Sequence, residues 1–168
     1  MANTTFSGPI RSESTIKTIS KDATSGAITE VTTLGGAPVS LSDGDVTLTN
    51  ATHSGRVLLV PDGGQDNTYT LPAPIAGSMF RFVYAGGAAD ATDALILTPG
   101  NTNFYIGGIT HLDTNADNVT VFSNGSSNSS VQLNVPQAFD ITIMGLNTTN
   151  YQIFGTVTST TVPAFADQ

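Results

Sequence analysis

Two histidines and a few short acidic segments are the residues of this chain whose types could carry out chemistry. His53 and His111 each lie beside a predicted turn or strand end. A histidine can serve as a general base or a metal ligand, but a surface or turn-capping role is commoner. The chain has no cysteine, which excludes a disulfide scaffold, a thiolate metal site and a cysteine nucleophile.

Residues 113–117, Asp-Thr-Asn-Ala-Asp, have the spacing of oxygen ligands that opens an EF-hand calcium loop. The match then fails, because Asn118 stands where that loop needs glycine and Asn124 where it needs a bidentate glutamate. The segment also runs directly into a predicted strand. The sequence therefore predicts an Asx-rich hairpin turn here rather than a calcium site.

Two pairs of aspartates leave two further kinds of site open. Asp62 with Asp66, or Asp90 with Asp93, could help to bind calcium in a loop, or could act as the acid and base of a glycosidase. The chain has no tryptophan and few aromatic residues to stack on a sugar ring, which counts against a glycosidase. Phosphate-loop, HExxH and GxSxG motifs are absent. A dispersed Ser-His-Asp set stays open, because its members need not be neighbours in sequence. We expect no enzyme activity, no metal and no cofactor.

The elements that would position these residues are short strands. Apolar and polar residues alternate with a period of two, which is typical of half-buried strands, in residues 45–49, 118–121, 130–135 and 140–143. The apolar runs 57–60 and 95–97 predict strands covered on both faces. Residues 80–84 and 151–154 are expected to supply the aromatic part of the core.

Turn residues separate these runs, and no stretch shows a helical apolar period. The sequence predicts an all-β chain of about ten strands, forming an antiparallel two-sheet sandwich of the jelly-roll kind. We expect an extended N-terminal arm over residues 1–27, a body over 28–157 and a tail over 158–168. Phe165 near the end of that tail could be loose or could anchor in a neighbouring molecule.

Charge is unevenly distributed along the chain. The formal net charge is −8, yet three of the five basic residues, Arg11, Lys17 and Lys21, fall in the first 21 residues. An acidic body disfavours nucleic acid and anionic membranes as partners. No apolar run reaches the roughly 18 residues of a membrane span, and the N-terminus lacks the apolar core of a signal peptide. We therefore expect synthesis in the cytoplasm.

Two segments resemble known virion proteins. Residues 2–12 resemble the start of small structural proteins of tailed bacteriophages, particularly those of marine bacteria, in which a segment like Phe-Ser-Gly-Pro-Ile-Arg-Ser, residues 6–12 here, opens an arm. More loosely, residues 69–77 followed by 80–83 are similar to a TLP…G…F.F stretch of phage decoration and fibre domains. The central residues 85–130 match nothing that we recognise.

The resemblance implies a head decoration protein, also called a cement protein, made in the host cytoplasm and placed on the outer capsid surface. Its partners would be the major capsid protein and other copies of itself, as a homotrimer. The arm would contact the capsid, with Phe6, Pro9 and Ile10 supplying apolar anchors and Arg11, Lys17 and Lys21 pairing with carboxylates. Two alternatives stay open: a tail or receptor-binding fibre component, and a carbohydrate-binding β-sandwich.

Overall fold

The chain divides into two compact units, residues 1–37 and residues 38–168. The computed structural model describes residues 18–22, 24–31, 37–87, 92–114 and 117–168. In the first unit, β1 (Thr18–Lys21) and β2 (Ile28–Val31) form an antiparallel hairpin. The carboxylate of Asp22 accepts hydrogen bonds from the backbone N–H groups of Thr24 and Ser25 at 2.9 and 2.6 Å, which fixes the turn. The hairpin therefore spans residue 27, where the predicted arm ends.

The regular secondary structure of the second unit is almost entirely β-strand. Its helical turn α1 spans Asn50–His53. The strands described in this unit are β3 (Val39–Ser40), β4 (Val46–Thr47), β5 (Arg56–Val60), β6 (Asn67–Thr70), β7 (Met79–Tyr84), β8 (Ala94–Leu97), β9 (Phe104–Asp113), β10 (Val119–Phe122), β11 (Ser130–Leu133), β12 (Ala138–Gly145), β13 (Asn150–Ser159) and β14 (Ala164–Ala166). The predicted all-β class is confirmed.

These strands form two sheets that share one core. The larger sheet has the order β10-β9-β13-β12-β7-β5-β3, and the smaller sheet has the order β14-β11-β8-β6-β4. Aromatic pairs join the two sheets: the ring centroids of Tyr69 and Phe82 are 6.1 Å apart, and those of Tyr105 and Phe165 are 6.2 Å apart. The buried residues of both sheets belong to a single apolar cluster, as in a β-sandwich.

Both sheets are mixed, so the predicted purely antiparallel arrangement is wrong. Consecutive strands from β3 to β8 alternate between the two sheets, so that β3, β5 and β7 lie in the larger sheet and β4, β6 and β8 in the smaller one. Within each sheet, the neighbouring strands of this series run parallel. β9 and β13 are also parallel, whereas the remaining pairs of the second unit are antiparallel. One-sided burial gives the same alternation in either direction, so the pattern alone does not reveal strand direction.

Burial alternates along nearly every strand that reaches the core. Ile141 and Ile143 are fully buried, as the alternation of residues 140–143 predicts. Residues 57–60 and 95–97 follow the same rule: Leu58 and Ile96 are buried while Leu59 is only partly covered. The prediction that these two runs are covered on both faces is therefore wrong.

The strands predicted over residues 45–49 and 130–135 are longer than the observed ones, since β4 spans only Val46–Thr47. The predicted strand over residues 130–135 stops at Leu133, and Val135 has a positive φ of 41°. This conformation is rare for a β-branched residue, and here the N–H of Val135 donates to the carboxylate of Asp93 at 2.9 Å. Val119 remains 43% exposed because β10 is the outermost strand of its sheet.

The C-terminal residues belong to the smaller sheet. β14 pairs with β11, and Phe165 packs against the shared core of its own chain. The side-chain amide of Gln168 donates to the carbonyl oxygens of Thr98 and Ser129 at 2.8 and 2.9 Å. Phe165 is therefore an intramolecular packing residue.

Candidate functional site

His53 caps a helical turn. Its Nδ1 accepts a hydrogen bond from the backbone N–H of Thr49 at 3.0 Å, and the hydroxyl of Thr49 accepts one from the N–H of Thr52 at 3.3 Å. These bonds satisfy N–H groups that have no partner within the helix. The turn-capping role expected for His53 is confirmed.

His111 is fully buried, so the surface or turn position expected for it is wrong. It lies on the side of β9 that faces the core, as do Tyr105 and Ile109. Its Nε2 lies 3.0 Å from the hydroxyl and 3.1 Å from the carbonyl oxygen of Ser159. The Ser159 hydroxyl donates its proton to the carbonyl oxygen of Thr161 at 2.7 Å, so it can only accept from the histidine. Nε2 of His111 is therefore the protonated nitrogen and donates to the oxygen atoms of Ser159. A buried serine whose own proton is committed to a carbonyl is not placed to attack a substrate.

Two of the acidic residues considered as ligands or catalysts, Asp66 and Asp93, connect segments of the chain by hydrogen bonds. The carboxylate of Asp66 accepts a hydrogen bond from the N–H of Asp93 at 2.9 Å. The carboxylate of Asp93 accepts from the side-chain amide of Gln132 at 2.6 Å and from the N–H of Val135. These bonds tie the segments before β8 and after β11 together. Asp90 lies outside the described residues.

The hairpin predicted after β9 is confirmed, and residues 115 and 116 of its turn lie outside the described residues. β9 and β10 form an antiparallel hairpin, and the N–H of Asp113 donates to the side-chain oxygen of Asn118 at 3.1 Å. Within the described ranges, no group of three or more His, Asp or Glu residues could hold a metal ion.

The residues assigned to capsid contact lie in the first unit. Lys21 ends β1, opposite Ile28 in the register of the hairpin. The other members of the set lie outside the described residues: Phe6, Pro9, Ile10, Arg11 and Lys17.

The outward face of the larger sheet carries a cleft that the sequence did not predict. Strand register places Arg81 of β7, Thr142 of β12 and Phe154 of β13 side by side in one row. Together with neighbouring residues they line a depression of about 510 Å³, here called the outer cleft, whose lining residues are Met79, Arg81, Asp140, Thr142, Phe154, Gly155 and Thr156.

An ion pair forms one side of the outer cleft. Arg81 donates from Nε to one carboxylate oxygen of Asp140 at 2.8 Å and from a terminal nitrogen to the other oxygen. The hydrogen bond from Arg81 lowers the pKa of Asp140, and the same bond raises the pKa of Arg81. Both groups therefore stay charged at neutral pH, held in a fixed two-point geometry.

The other side of the outer cleft is apolar. Phe154 is 48% exposed, although it lies in the middle of a long central strand. Its neighbour in β9 is Gly108, and a Cβ atom on Gly108 would stand 2.8 Å from the ring of Phe122. Phe122 therefore covers Gly108 and lies on the same face, but outside the cleft.

The prediction that residues 80–84 and 151–154 supply the aromatic part of the core is confirmed, although Phe154 faces outward. Phe80, Phe82 and Tyr151 are fully buried as expected. The two-residue period could have identified the exception, because a strand with Tyr151 and Ile153 inside must place Phe154 outside.

No model of a known protein family matches the chain, and no curated protein matches it either. Within the part of the chain that the structure describes, no helix is long and apolar enough to cross a membrane.

Proposed function

We propose that this chain is a non-catalytic structural protein of a virus particle, a decoration protein on the outer surface of a tailed-bacteriophage head. It binds the assembled shell and stabilises the contacts between neighbouring major capsid proteins. Its partners are the major capsid protein and two further copies of itself in a homotrimer.

The observation that carries this proposal is the division of the chain at residue 37. The segment over residues 6–12 that resembles phage arms falls in the first unit, and residues 38–168 form a separate all-β body. The first unit also holds Arg11, Lys17 and Lys21, whereas the basic residues after residue 37 are only Arg56 and Arg81. The first unit as a whole is neutral, because Glu13, Asp22 and Glu30 balance its three cations, but residues 1–21 hold all three cations and only Glu13. Residues 38–168 hold ten acidic residues. This contrast supports a chain whose basic first 21 residues are directed at the shell and whose acidic body is directed at solvent.

In the finer form of the proposal, residues 1–27 lie along the capsid floor as an arm, and the body is a jelly-roll-like sandwich. Binding only to assembled shells shifts the assembly equilibrium towards the shell, because ligands stabilise the state that they bind. A symmetric oligomer on a repeating lattice also adds avidity to individually weak contacts.

The test is co-sedimentation of the full chain with shells assembled from the major capsid protein of the same phage. We expect saturation at a fixed ratio that matches the lattice, such as one trimer per three-fold axis, and a higher temperature of shell disruption. Absence of binding at saturating protein concentration would overturn the proposal.

A charge variant tests the part played by the first unit. The triple change Arg11→Gln, Lys17→Gln and Lys21→Gln removes three positive charges, and we expect it to weaken shell binding strongly. The matched control alters net charge equally at exposed positions of the body, through Thr102→Glu, Ser126→Glu and Gln137→Glu. Equal loss in both variants would show that only total charge matters, and would remove the arm from the proposal.

A second candidate function is a tail or receptor-binding fibre component. The observation that favours it is the parallel winding of the chain from β3 to β8, because parallel winding between sheets is characteristic of β-helices and solenoids. Copy number separates the two candidates. A few copies per particle at one vertex indicate a tail component, and a lattice-like ratio indicates decoration.

A further inference from the structure

We propose that the outer cleft is a binding site for one uncharged sugar unit of a glycan, which stacks on Phe154 and hydrogen-bonds to the Arg81–Asp140 pair. The proposal goes beyond capsid decoration and does not depend on it. It rests on three features of the cleft: an exposed aromatic wall, a charge-neutral polar wall and a floor of small hydroxyl side chains.

The dimensions of the cleft fit a small ring. Phe154 and Arg81 lie on strands that flank β12, the strand of Thr142, so two strand spacings of about 4.8 Å place their backbones about 10 Å apart, and Asp140 of β12 lies between them beside the Arg81 guanidinium. The volume of about 510 Å³ falls within the range of small-molecule sites. The threonine between the walls is the short side chain that leaves this space open.

The aromatic wall recognises the apolar face of a sugar. The face of a phenylalanine ring carries partial negative charge, and it attracts the polarised C–H groups that a pyranose presents on one side. Phe154 is 48% exposed, so its ring is available for such stacking. Met79, which is 41% exposed, adds a flexible apolar contact on the same side of the sheet.

The polar wall favours a neutral ligand that has hydroxyl groups. A carboxylate has about four acceptor positions and a guanidinium has five N–H donors, so the two bonds within the Arg81–Asp140 pair leave further donors and acceptors for a ligand. A sugar hydroxyl both donates and accepts, which matches a paired donor and acceptor. An anionic ligand would instead meet the Asp140 carboxylate on a chain with a net charge of −8.

The strand arrangement argues against a peptide as the occupant. β7, β12 and β13 are each paired with a neighbouring strand on both sides. No backbone edge is therefore available at the cleft for the strand addition by which extended peptides bind sheets.

The experiment is an NMR titration of the isotope-labelled full chain with named saccharides. The neutral probes are maltotriose, cellotriose, mannotriose, lactose and triacetylchitotriose, and the contrasting probes are trigalacturonic acid and adenosine. We expect at least one neutral saccharide to shift the signals of Thr142 and Phe154 saturably, and neither contrasting probe to do so. Absence of any saturable shift with the neutral probes, or binding only of the acid or of adenosine, would overturn the proposal.

Paired variants locate the site. Phe154→Ala removes the stacking wall and should weaken binding about tenfold or more, and Arg81→Met should produce a comparable loss. Phe122→Ala removes the other exposed phenylalanine of the same face and should leave the affinity unchanged, with unchanged amide spectra confirming that each variant is folded. Binding that survives Phe154→Ala would exclude the outer cleft. Shell binding is measured separately, so failure of this proposal leaves capsid decoration untouched.

Discussion

The two faces of the larger sheet are built from the same strands but serve different purposes. On β7, β12 and β13 the inward residues Phe82, Ile141 and Tyr151 are fully buried, whereas their outward neighbours Arg81 and Phe154 remain about half exposed. Successive residues of a strand point to opposite faces of the sheet. Of two neighbouring residues, one therefore packs in the core and stabilises the fold, and the other faces outward, where the proposed ligand would bind. The cost of a substitution should therefore depend on which face its side chain occupies.

The largest expected contrast is between two phenylalanines. Phe82 is fully buried and pairs with Tyr69 of the other sheet, so Phe82→Ala should lower the free energy of unfolding by about 3–5 kcal/mol. Phe154→Ala, on the outward face, should cost about 0.5 kcal/mol or less. Urea unfolding of the two variants measures both values. Similar losses would show that the two faces do not differ in the way proposed.

Gly155 should be the most sensitive position among residues that line the outer cleft. It has a φ of 147°, and a Cβ atom there would collide with the backbone carbonyl of Asp140 in the neighbouring strand. Gly155→Ala should therefore cost about 2 kcal/mol, through backbone strain and displacement of β12. The control is Gly100→Ala, where an added Cβ has no described atom within 4 Å. A tolerated Gly155→Ala would mean that the two strands can separate without loss.

The inward face should also show a response to alkaline pH. Burial raises the pKa of Tyr151 and of Tyr105, so the native state holds these phenol protons more tightly than the unfolded state, whose tyrosines titrate near pH 10. This stabilising contribution is complete below about pH 10 and is lost as the pH rises further.

Tyr151→Phe tests that response. At neutral pH the variant should lose about 1 kcal/mol, because the hydroxyl of Tyr151 donates to the carbonyl of Pro72 at 2.7 Å. Above about pH 10 its stability should fall less steeply than that of the parent chain. Unfolding curves measured on both sides of that pH check the slope. Parallel pH profiles would show that Tyr151 does not contribute to alkaline unfolding.

The sequence predicted local structure well and strand pairing poorly. The alternation in residues 140–143 correctly identified Ile141 and Ile143 as buried, because a half-buried strand leaves that pattern in any sheet. It did not reveal that β5 and β7 run parallel, because strand direction depends on how the chain crosses between sheets. A local pattern contains no information about that crossing.

The outer cleft was missed for a related reason. Arg81, Thr142 and Phe154 are distant in sequence and become neighbours only through the register of three strands. Alternation could have shown that each points outward, but not that they share a row. The error for His111 has the opposite origin. Its polar type predicts a surface position, but its place in the alternation of β9 puts it among the inward-facing apolar residues.

The smallest expected effect is that of the ion pair on the outward face. Arg81 and Asp140 are 48% and 45% exposed, so a double-mutant cycle with Arg81→Met and Asp140→Asn should give a coupling energy of about 0.2–1 kcal/mol. Since the folded-state pKa of Asp140 is lowered, the coupling is present above the unfolded value near 3.9 and disappears as the pH falls below it. Salt should weaken it as well. A coupling energy above about 2 kcal/mol would mean that the Arg81–Asp140 pair stabilises the fold substantially. The main role of the pair would then be structural rather than the binding of a ligand.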